Sequence, residues 1–306
     1  MKTKIGLLFD GDILLYRAGF AAEKRVYRPS PGSALQRSAP WAVWTSAKAA
    51  KQDCDRLGYS YKTDVTWERQ PEPVENAIHN LNSLITNVRN GFASDEIIHT
   101  WSALPTAEIP VEVFIFITGC GTKPNFREAL DPAYKANRDP AHKPIHLNAL
   151  KTYIQEHYPT IVTQGCEADD YLGQAQHDME RIHPDMLPVI VTLDKDLQQI
   201  PGYKYDFVAK ELTYNSQEEG DKFFFRQMLS GDKADNISGL RGYGPVKIDN
   251  LFAKCVSVDD YRKKAQQAYI GSYANKDNAI RAWNTNCDLL WIWRQVPDVC
   301  PYKIPV

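Results

Sequence analysis

The chain has 306 residues, 43% of them apolar and 24% charged, with a net charge of −2 and a pI near 6.4. That is the composition of a soluble globular protein with one large domain or about two ordinary ones. It holds no apolar stretch long enough to span a bilayer as a helix. The six cysteines (Cys54, Cys120, Cys166, Cys255, Cys287, Cys300) lack CxxC spacing, which argues against zinc and thioredoxin-like chemistry and for free thiols in a reducing cytoplasm. The apolar run in MKTKIGLLFDGD meets an aspartate too early for a signal peptide.

Residues 4–9 read as a buried first strand, FDGD as its C-terminal end, and ILLYRAGFAAE as a helix. The Pro, Gly and Ser content of 26–40 predicts a loop, and WAVWT a short strand. SAKAAKQDCDRLGY has helical spacing with Ser46 as N-cap. In PEPVENAIHNLNSLITNVRN, the stripe Ile78, Leu81, Leu84, Ile85 and Val88 predicts a stronger helix. VEVFIFITG reads as a central strand from its β-branched and aromatic residues. HLNALKTYIQEHY reads as a helix, TIVTQG as a strand, EADDYLGQAQHDME as a helix, and the apolar LPVIVTL as a strand buried on both faces. Such alternation predicts an α/β fold, a mostly parallel central sheet flanked by helices, with sites beyond the carboxyl ends of the strands. After about residue 220 the pattern is helical, through DKFFFRQMLSG, VKIDNLFAKC and DNAIRAWNTNCDLLWIW, and the tail is irregular.

Nine acidic residues fall in four short motifs: Asp10 and Asp12 in FDGD, Glu167, Asp169 and Asp170 in CEADD, Asp194 and Asp196 in TLDKD, Asp232 and Asp235 in SGDKADN. Singly, each reads as readily as a helix cap, a turn or a solvated face. Four together point elsewhere, because half-buried like charges need compensation and a divalent cation supplies it for many oxygens at once. In an extended TLDKD segment, Asp194 and Asp196 point to one side. Glu167 and Asp170 share a helical face, with Asp169 able to join them at a helix N-terminus. This pattern suggests a two-metal phosphodiester hydrolase using Mg²⁺ or Mn²⁺. A second signal is the loop GYGP: Gly242 and Gly244 flank Tyr243, Pro245 suits the first helical position, and Lys247 adds charge, a combination suited to a backbone phosphate. In NFREALDPAYKANRDP, Arg127, Lys135 and Arg138 accompany Tyr134 and suit a phosphate and an unstacked base. A solvated basic face is the plainer reading of that segment by itself.

In this order and spacing, FDGD, VFIFITG with NFR and DPAYKANRDP, GCEADDYLG, VTLDKDLQQIPG and SGDKADNISGLRGYGPVK resemble the flap endonuclease/5′→3′ exonuclease family, and within it the short exonucleases of T7-like bacteriophages. The resemblance covers a little over half the chain. It implies a PIN/FEN-like fold with an α/β nuclease core at 1–220, an insertion at about 21–110, and a helical DNA-binding region with a tail at 221–306. It implies metal ligands at Asp10, Glu167, Asp169, Asp170, Asp194, Asp196, Asp232 and Asp235, with Asp169 bridging and Asp235 outermost. Lys135 and Arg138 match the basic pair that positions the scissile phosphate. Residues 231–250 resemble the helix–two-turn–helix element that holds duplex DNA, often through K⁺, and Arg127, Tyr134, Gly242, Gly244 and Lys247 are the expected DNA contacts. The implied partner is DNA with a 5′ end or 5′ flap, or an RNA–DNA hybrid, with a replication protein as a further candidate partner. A monomer with no membrane contact is expected, in a host cytoplasm if the chain is phage-encoded. The family usually carries an aspartate just after the strand that here ends in ITG, where this chain reads Gly119-Cys120-Gly121 and then no acid until Glu128. Asp12, with a counterpart only among the T7-like members, is the residue placed to compensate. If nothing does, the alternative is a catalytically weak, structure-specific DNA-binding protein on the same fold. An RNA-cleaving nuclease on a similar sheet is disfavoured by the GYGP element, which small RNA-cleaving domains of that kind lack.

Overall fold

The computed structural model describes residues 4–94, 109–119, 123–295 and 298–305. Cys120, Gly121, part of the 21–110 insertion and part of the irregular tail lie outside them.

Lys4–Asp10 is strand β1, followed at once by helix α1, Gly11–Ala21. Next come β2 (Glu23–Pro29), α2 (Ala34–Ser38), α3 (Ala47–Leu57), α4 (Tyr61–Asp64), β3 (Val65–Pro71) and α5 (Val74–Ser94). The Ser46 side chain caps α3 as expected, accepting from Ala49 N–H at 3.2 Å. Two expectations fail here. The predicted loop at 26–40 begins as strand β2 and includes α2. WAVWT is not a strand; only Trp44 pairs, in an isolated bridge to Tyr27. The Pro and Gly residues mark the turns of this region without revealing the partner strand β3, which supplies the pairing.

Strand β4 is Val111–Thr118, then come α6 (Phe126–Leu130), α7 (Leu147–His157), β5 (Thr160–Thr163), α8 (Ala168–Ile182), β6 (Met186–Val191) and a 3₁₀ turn, Lys195–Gln199. The hairpin β7 (Gly202–Asp206) and β8 (Glu211–Asn215) follows, then α9 (Gln217–Ser230), the short pair β9 (Gly231–Asp232) and β10 (Ile237–Ser238), α10 (Pro245–Phe252), α11 (Val258–Ser272) and α12 (Lys276–Leu290).

The main sheet has the order β5-β4-β1-β6-β7-β8, parallel except for the final hairpin strand β8. This is the predicted mostly parallel α/β sheet, and its order places β1 between β4 and β6. Phe9 is in register with Ile115 and Val191, and Asp10 with Phe116. The C-terminal ends of three neighbouring strands therefore meet where the chain carries FDGD, ITG and TLDKD. Leu8, Phe116 and Ile190 of the sheet pack with Ala168 and Leu172 of α8 and with Leu197 and Ile200, all buried. A second core in the helical region gathers Phe224, Phe225, Met228 and Leu229 with Ile248, Phe252, Tyr269 and Trp283.

The chain divides into two compact units, one of residues 1–13, 87–142 and 157–306, the other of 14–86 and 143–156. This differs from the expected split at 220. Helix α9 packs on the 3₁₀ turn and its core includes Tyr134, so the helical region belongs to the same unit as the sheet. The second unit contains the antiparallel ribbon of β2 and β3, registered from Glu23–Pro71 to Pro29–Val65, and a small core of Tyr27, Leu35, Trp44, Ala50 and Cys54. No helix among the described residues is long and apolar enough to cross a membrane.

Candidate active site

All nine acidic motif residues lie in the sheet-bearing unit. Asp10 ends β1 with 4% of its surface exposed. It accepts from Ile13 N–H (3.2 Å) and from the Thr192 hydroxyl (2.9 Å). Burial first, then the neighbouring Asp12, raises its pKa to about 7. Asp169, in the first turn of α8, is pushed well above the carboxylate range by burial and then by Asp10, Asp194 and Glu167. Asp196 is raised to about 8 by burial, Asp194 and a hydrogen bond with Asp232. Asp232 moves downward although burial opposes the shift: Asp196, Ala234 N–H and Lys195 outweigh it. These mutual effects link one group, Asp10, Asp169 and Glu167, through Asp194 to a second, Asp196 and Asp232.

Asp194 has extended backbone, but Lys195 and Asp196 have already entered the 3₁₀ turn, so the pair does not share one extended segment as predicted. Asp194 caps the 3₁₀ turn, accepting from Asp196 N–H at 2.8 Å, so a capping contact rather than a strand pleat keeps the pair together. Glu167 precedes α8 and meets Asn125 (3.0 Å), Lys135 and the Tyr134 hydroxyl (3.0 Å). The same hydroxyl lies 3.1 Å from Asp235, which is also bound by Arg138 at 2.5 Å and faces Lys135 at 3.5 Å. Lys135 adopts φ +55° in a turn that brings its ammonium, with Arg138, onto the acids. Their proximity arises from this turn, not from helical i,i+3 spacing.

Three of the expected site residues are engaged with other groups of the protein. Asp170 is fully buried, and both of its carboxylate oxygens are held by Arg127, at 2.7 and 2.8 Å. It also accepts from Glu167 N–H at 3.1 Å. A carboxylate committed to a guanidinium in this way anchors α8 and is a poor metal ligand. Arg127 is 3% exposed and donates further to Leu289 O and Trp291 O, so its guanidinium is engaged within the protein. Tyr134, 4% exposed, presents its hydroxyl to two acids and no ring face to a base.

Gly119 explains the departure at ITG. A Cβ there would stand 2.2 Å from Thr163 O, so the approach of β5 admits no side chain. Asp12 instead reaches this strand end, accepting from Thr118 N–H at 3.2 Å. The GYGP loop and Lys247 lie in the same unit. Gly242 has φ +80°, Gly244 is the N-cap of α10 with Pro245 in the first turn, and exposed Lys247 stands 3.6 Å from the Tyr243 ring centre.

An open hollow is lined by Glu167, Asp169, Asp196, Asp232 and Asp235, with Gln199 and Gln227 behind them. Lys195, exposed at the rim, lies 3.9 Å from Asp196 and 3.8 Å from Asp232. Gln199, Gln227 and Lys195 were missed in the sequence. The only signal for Gln227 was a polar residue inside the apolar run FFFRQML. Among the described residues no three His, Cys, Asp or Glu side chains converge as a ready-made cage for one ion; several of the oxygens are turned to Lys135, Arg138, Tyr134 and Gln227. The donor set still fits a hard divalent cation. It is all carboxylate, burial and neighbouring carboxylates hold Asp10, Asp169 and Asp196 up, and Asp232 Oδ2 is buried without a hydrogen-bond donor.

The mostly parallel sheet thus carries an acidic row at the carboxyl ends of its central strands. Residues 98–224 match the family described as 5′-3′ exonuclease, N-terminal resolvase-like domain. Over that stretch the chain is similar to the 5′→3′ exonuclease family. It is 29% identical over 162 residues to the exonuclease of Escherichia phage T7, covering 51% of each chain. It is 30% identical over 156 residues to DNA polymerase I of Rhizobium leguminosarum, covering 46% of this chain and 15% of the polymerase. The chain thus spans about half the length of the phage relative and less of the polymerase. Its fold matches a T5 5′-exonuclease structure with bound zinc at a TM-score of 0.50 and 14% identity, over 94% of this chain and 90% of that one.

Proposed function

We propose that the chain is a divalent-metal-dependent 5′→3′ exonuclease and flap endonuclease that hydrolyses DNA, and RNA primer paired to DNA, in replication or host DNA degradation. The observation that carries this reading is the row of carboxylates whose burial and mutual repulsion lift Asp10, Asp169 and Asp196 far above an ordinary aspartate. Such an arrangement destabilises the ionised protein unless a cation joins it. Asp10, Asp169 and Glu167 would hold one Mg²⁺ or Mn²⁺, and Asp194, Asp196 and Asp232 the other, with Asp235 outside them. Bound ions supply Lewis acidity, activating water and offsetting charge on the leaving oxygen. Lys135 and Arg138, the cations beside Glu167 and Asp235, would orient the scissile phosphate. The amides at Gly242 and Gly244 and the charge of Lys247 suit a duplex backbone without reading bases. On the resemblance alone, K⁺ is assigned to that loop. A monomer is the expected state.

Purified protein with a 5′-labelled duplex and a matched 5′ flap should give short products in Mg²⁺ or Mn²⁺ and none in EDTA. Asp194→Asn and Asp169→Asn should each lose at least about 100-fold in rate, the scale of a missing electrostatic group. Full activity in both variants would rule the mechanism out.

Gly119 favours a second reading, a structure-specific binder with weak turnover, because no carboxylate fits at that strand end. The contact of Asp12 with Thr118 N–H supports compensation instead. If Asp12→Asn leaves the rate unchanged while Asp194→Asn abolishes it, compensation by Asp12 is wrong.

A further inference from the structure

Behind Asp196 stands a row of two buried glutamines, Gln199 at 1% and Gln227 at 6% exposure. Gln227 Nε2 donates to Asp196 Oδ1 at 2.7 Å. Gln199 Nε2 donates to Gln227 Oε1 at 2.7 Å and to Leu290 O at 2.7 Å. Ile292 N–H donates to Gln199 Oε1 at 3.4 Å. The nitrogen and oxygen of an amide side chain are told apart by their partners, and here the far end forces the answer. The Leu290 carbonyl can only accept and the Ile292 N–H can only donate. Gln199 must therefore turn its nitrogen to Leu290 and its oxygen to Ile292. Its second N–H meets Gln227, which must answer with oxygen and so turn its own nitrogen to Asp196. The backbone at the end of α12 and just beyond it thus sets the polarity of the row, whatever the charge on Asp196.

We propose that Gln227, locked by Gln199 and by the backbone of Leu290 and Ile292, is a positioning residue for Asp196: its Nε2 donates to Oδ1 and leaves Oδ2 for the cation shared with Asp232. The buried Oδ2 of Asp232 has no hydrogen-bond partner, only the exposed Lys195 ammonium 3.8 Å away, and Asp232 lines the same hollow as Asp196. The same backbone segment receives Arg127 at Leu289 O and Trp291 O, and Trp293 N–H donates to Asp170 at 3.3 Å. One stretch of tail therefore braces both acidic groups, from outside the family-matched residues 98–224. The inference rests on reading Asp196 as a metal ligand.

The test is Gln227→Leu in the full chain, with Mn²⁺ binding followed by calorimetry without DNA, and kcat and KM measured separately. Loss of an outer hydrogen bond to a metal ligand lowers metal affinity or activity by about 10–100-fold. Such a loss is expected at one of two Mn²⁺ sites and in kcat, with KM for DNA within about twofold of the parent. Affinity and kcat both within about twofold of the parent would overturn the proposal. If the variant does not fold, hydrogen exchange of the side-chain amides in the unmodified protein decides: a protected Gln227 amide whose NMR signal moves on adding Mg²⁺ supports it, and exchange as fast as free glutamine overturns it. A parent that binds Mn²⁺ but cuts no DNA would refute the nuclease reading while leaving the affinity comparison standing. A parent that binds no Mn²⁺ overturns both.

Discussion

Asp169 and Asp170 are neighbours in one helical turn with different surroundings. Asp170 meets a guanidinium that matches both of its oxygens, and the pair is buried. Breaking a buried pair strands the partner charge, so Asp170→Asn should cost about 3–5 kcal/mol in urea unfolding. Asp169 meets other carboxylates, so Asp169→Asn removes repulsion: its melting temperature should equal or exceed that of the parent even as activity disappears. The pH dependence follows the same logic. Asp10 at about 7 and Asp196 at about 8 hold their protons more tightly folded than unfolded. Their contribution to stability is complete below the unfolded value near 4 and is lost as pH rises through 7 to 8. Melting temperatures in EDTA should therefore fall across that window, and Mg²⁺ should reverse the fall. A flat profile would show that these acids are not buried together. Nothing in the string EADD distinguishes the two aspartates; the difference is made by Arg127, over forty residues earlier, and by a tail segment over a hundred residues later.

Strands and helices with one strong local pattern were legible from sequence: the β-branched run of β4, the apolar run of β6, the stripe of α5, and the Ser46 cap of α3. Elements that depend on distant partners were not. The β2–β3 ribbon joins segments about forty residues apart, and the charged, proline-bearing sequence of β3 does not announce a strand. The hairpin β7–β8 and helix α11 also passed without a marked expectation. Gly119 shows the same limit at a single strand end. An absent aspartate was legible, but not the carbonyl of Thr163 that forbids a side chain there. Gly119→Asp should accordingly destabilise the protein by about 1–3 kcal/mol or more, as overpacking does, and should not raise activity. If the loop before α10 holds a duplex by its phosphates, as proposed, Lys247→Ala should weaken duplex binding uniformly across sequences. It should reduce the slope of log affinity against log salt by about one. An unchanged slope would remove Lys247 from the interface.

At the scale of the whole molecule, the alternation of strands and helices was sufficient to give the sheet. The topology, with β1 between β4 and β6, explains why motifs separated by nearly two hundred residues share one place. The division into units was not legible, because α9 through α12 look like a separate helical domain until their packing on the 3₁₀ turn and their core with Tyr134 are seen. The unit of residues 14–86 and 143–156 has its own small core, and its residues 14–86 lie outside the family match. The central claim, that the acidic row binds divalent metal to cut DNA at 5′ ends, is tested most directly by a cleavage assay on a 5′-labelled duplex and a 5′ flap, with Mg²⁺ or EDTA and with parent or Asp194→Asn protein. The account predicts short products from the parent in Mg²⁺ alone. Intact substrate in every lane, or cleavage that survives both EDTA and Asp194→Asn, would contradict it.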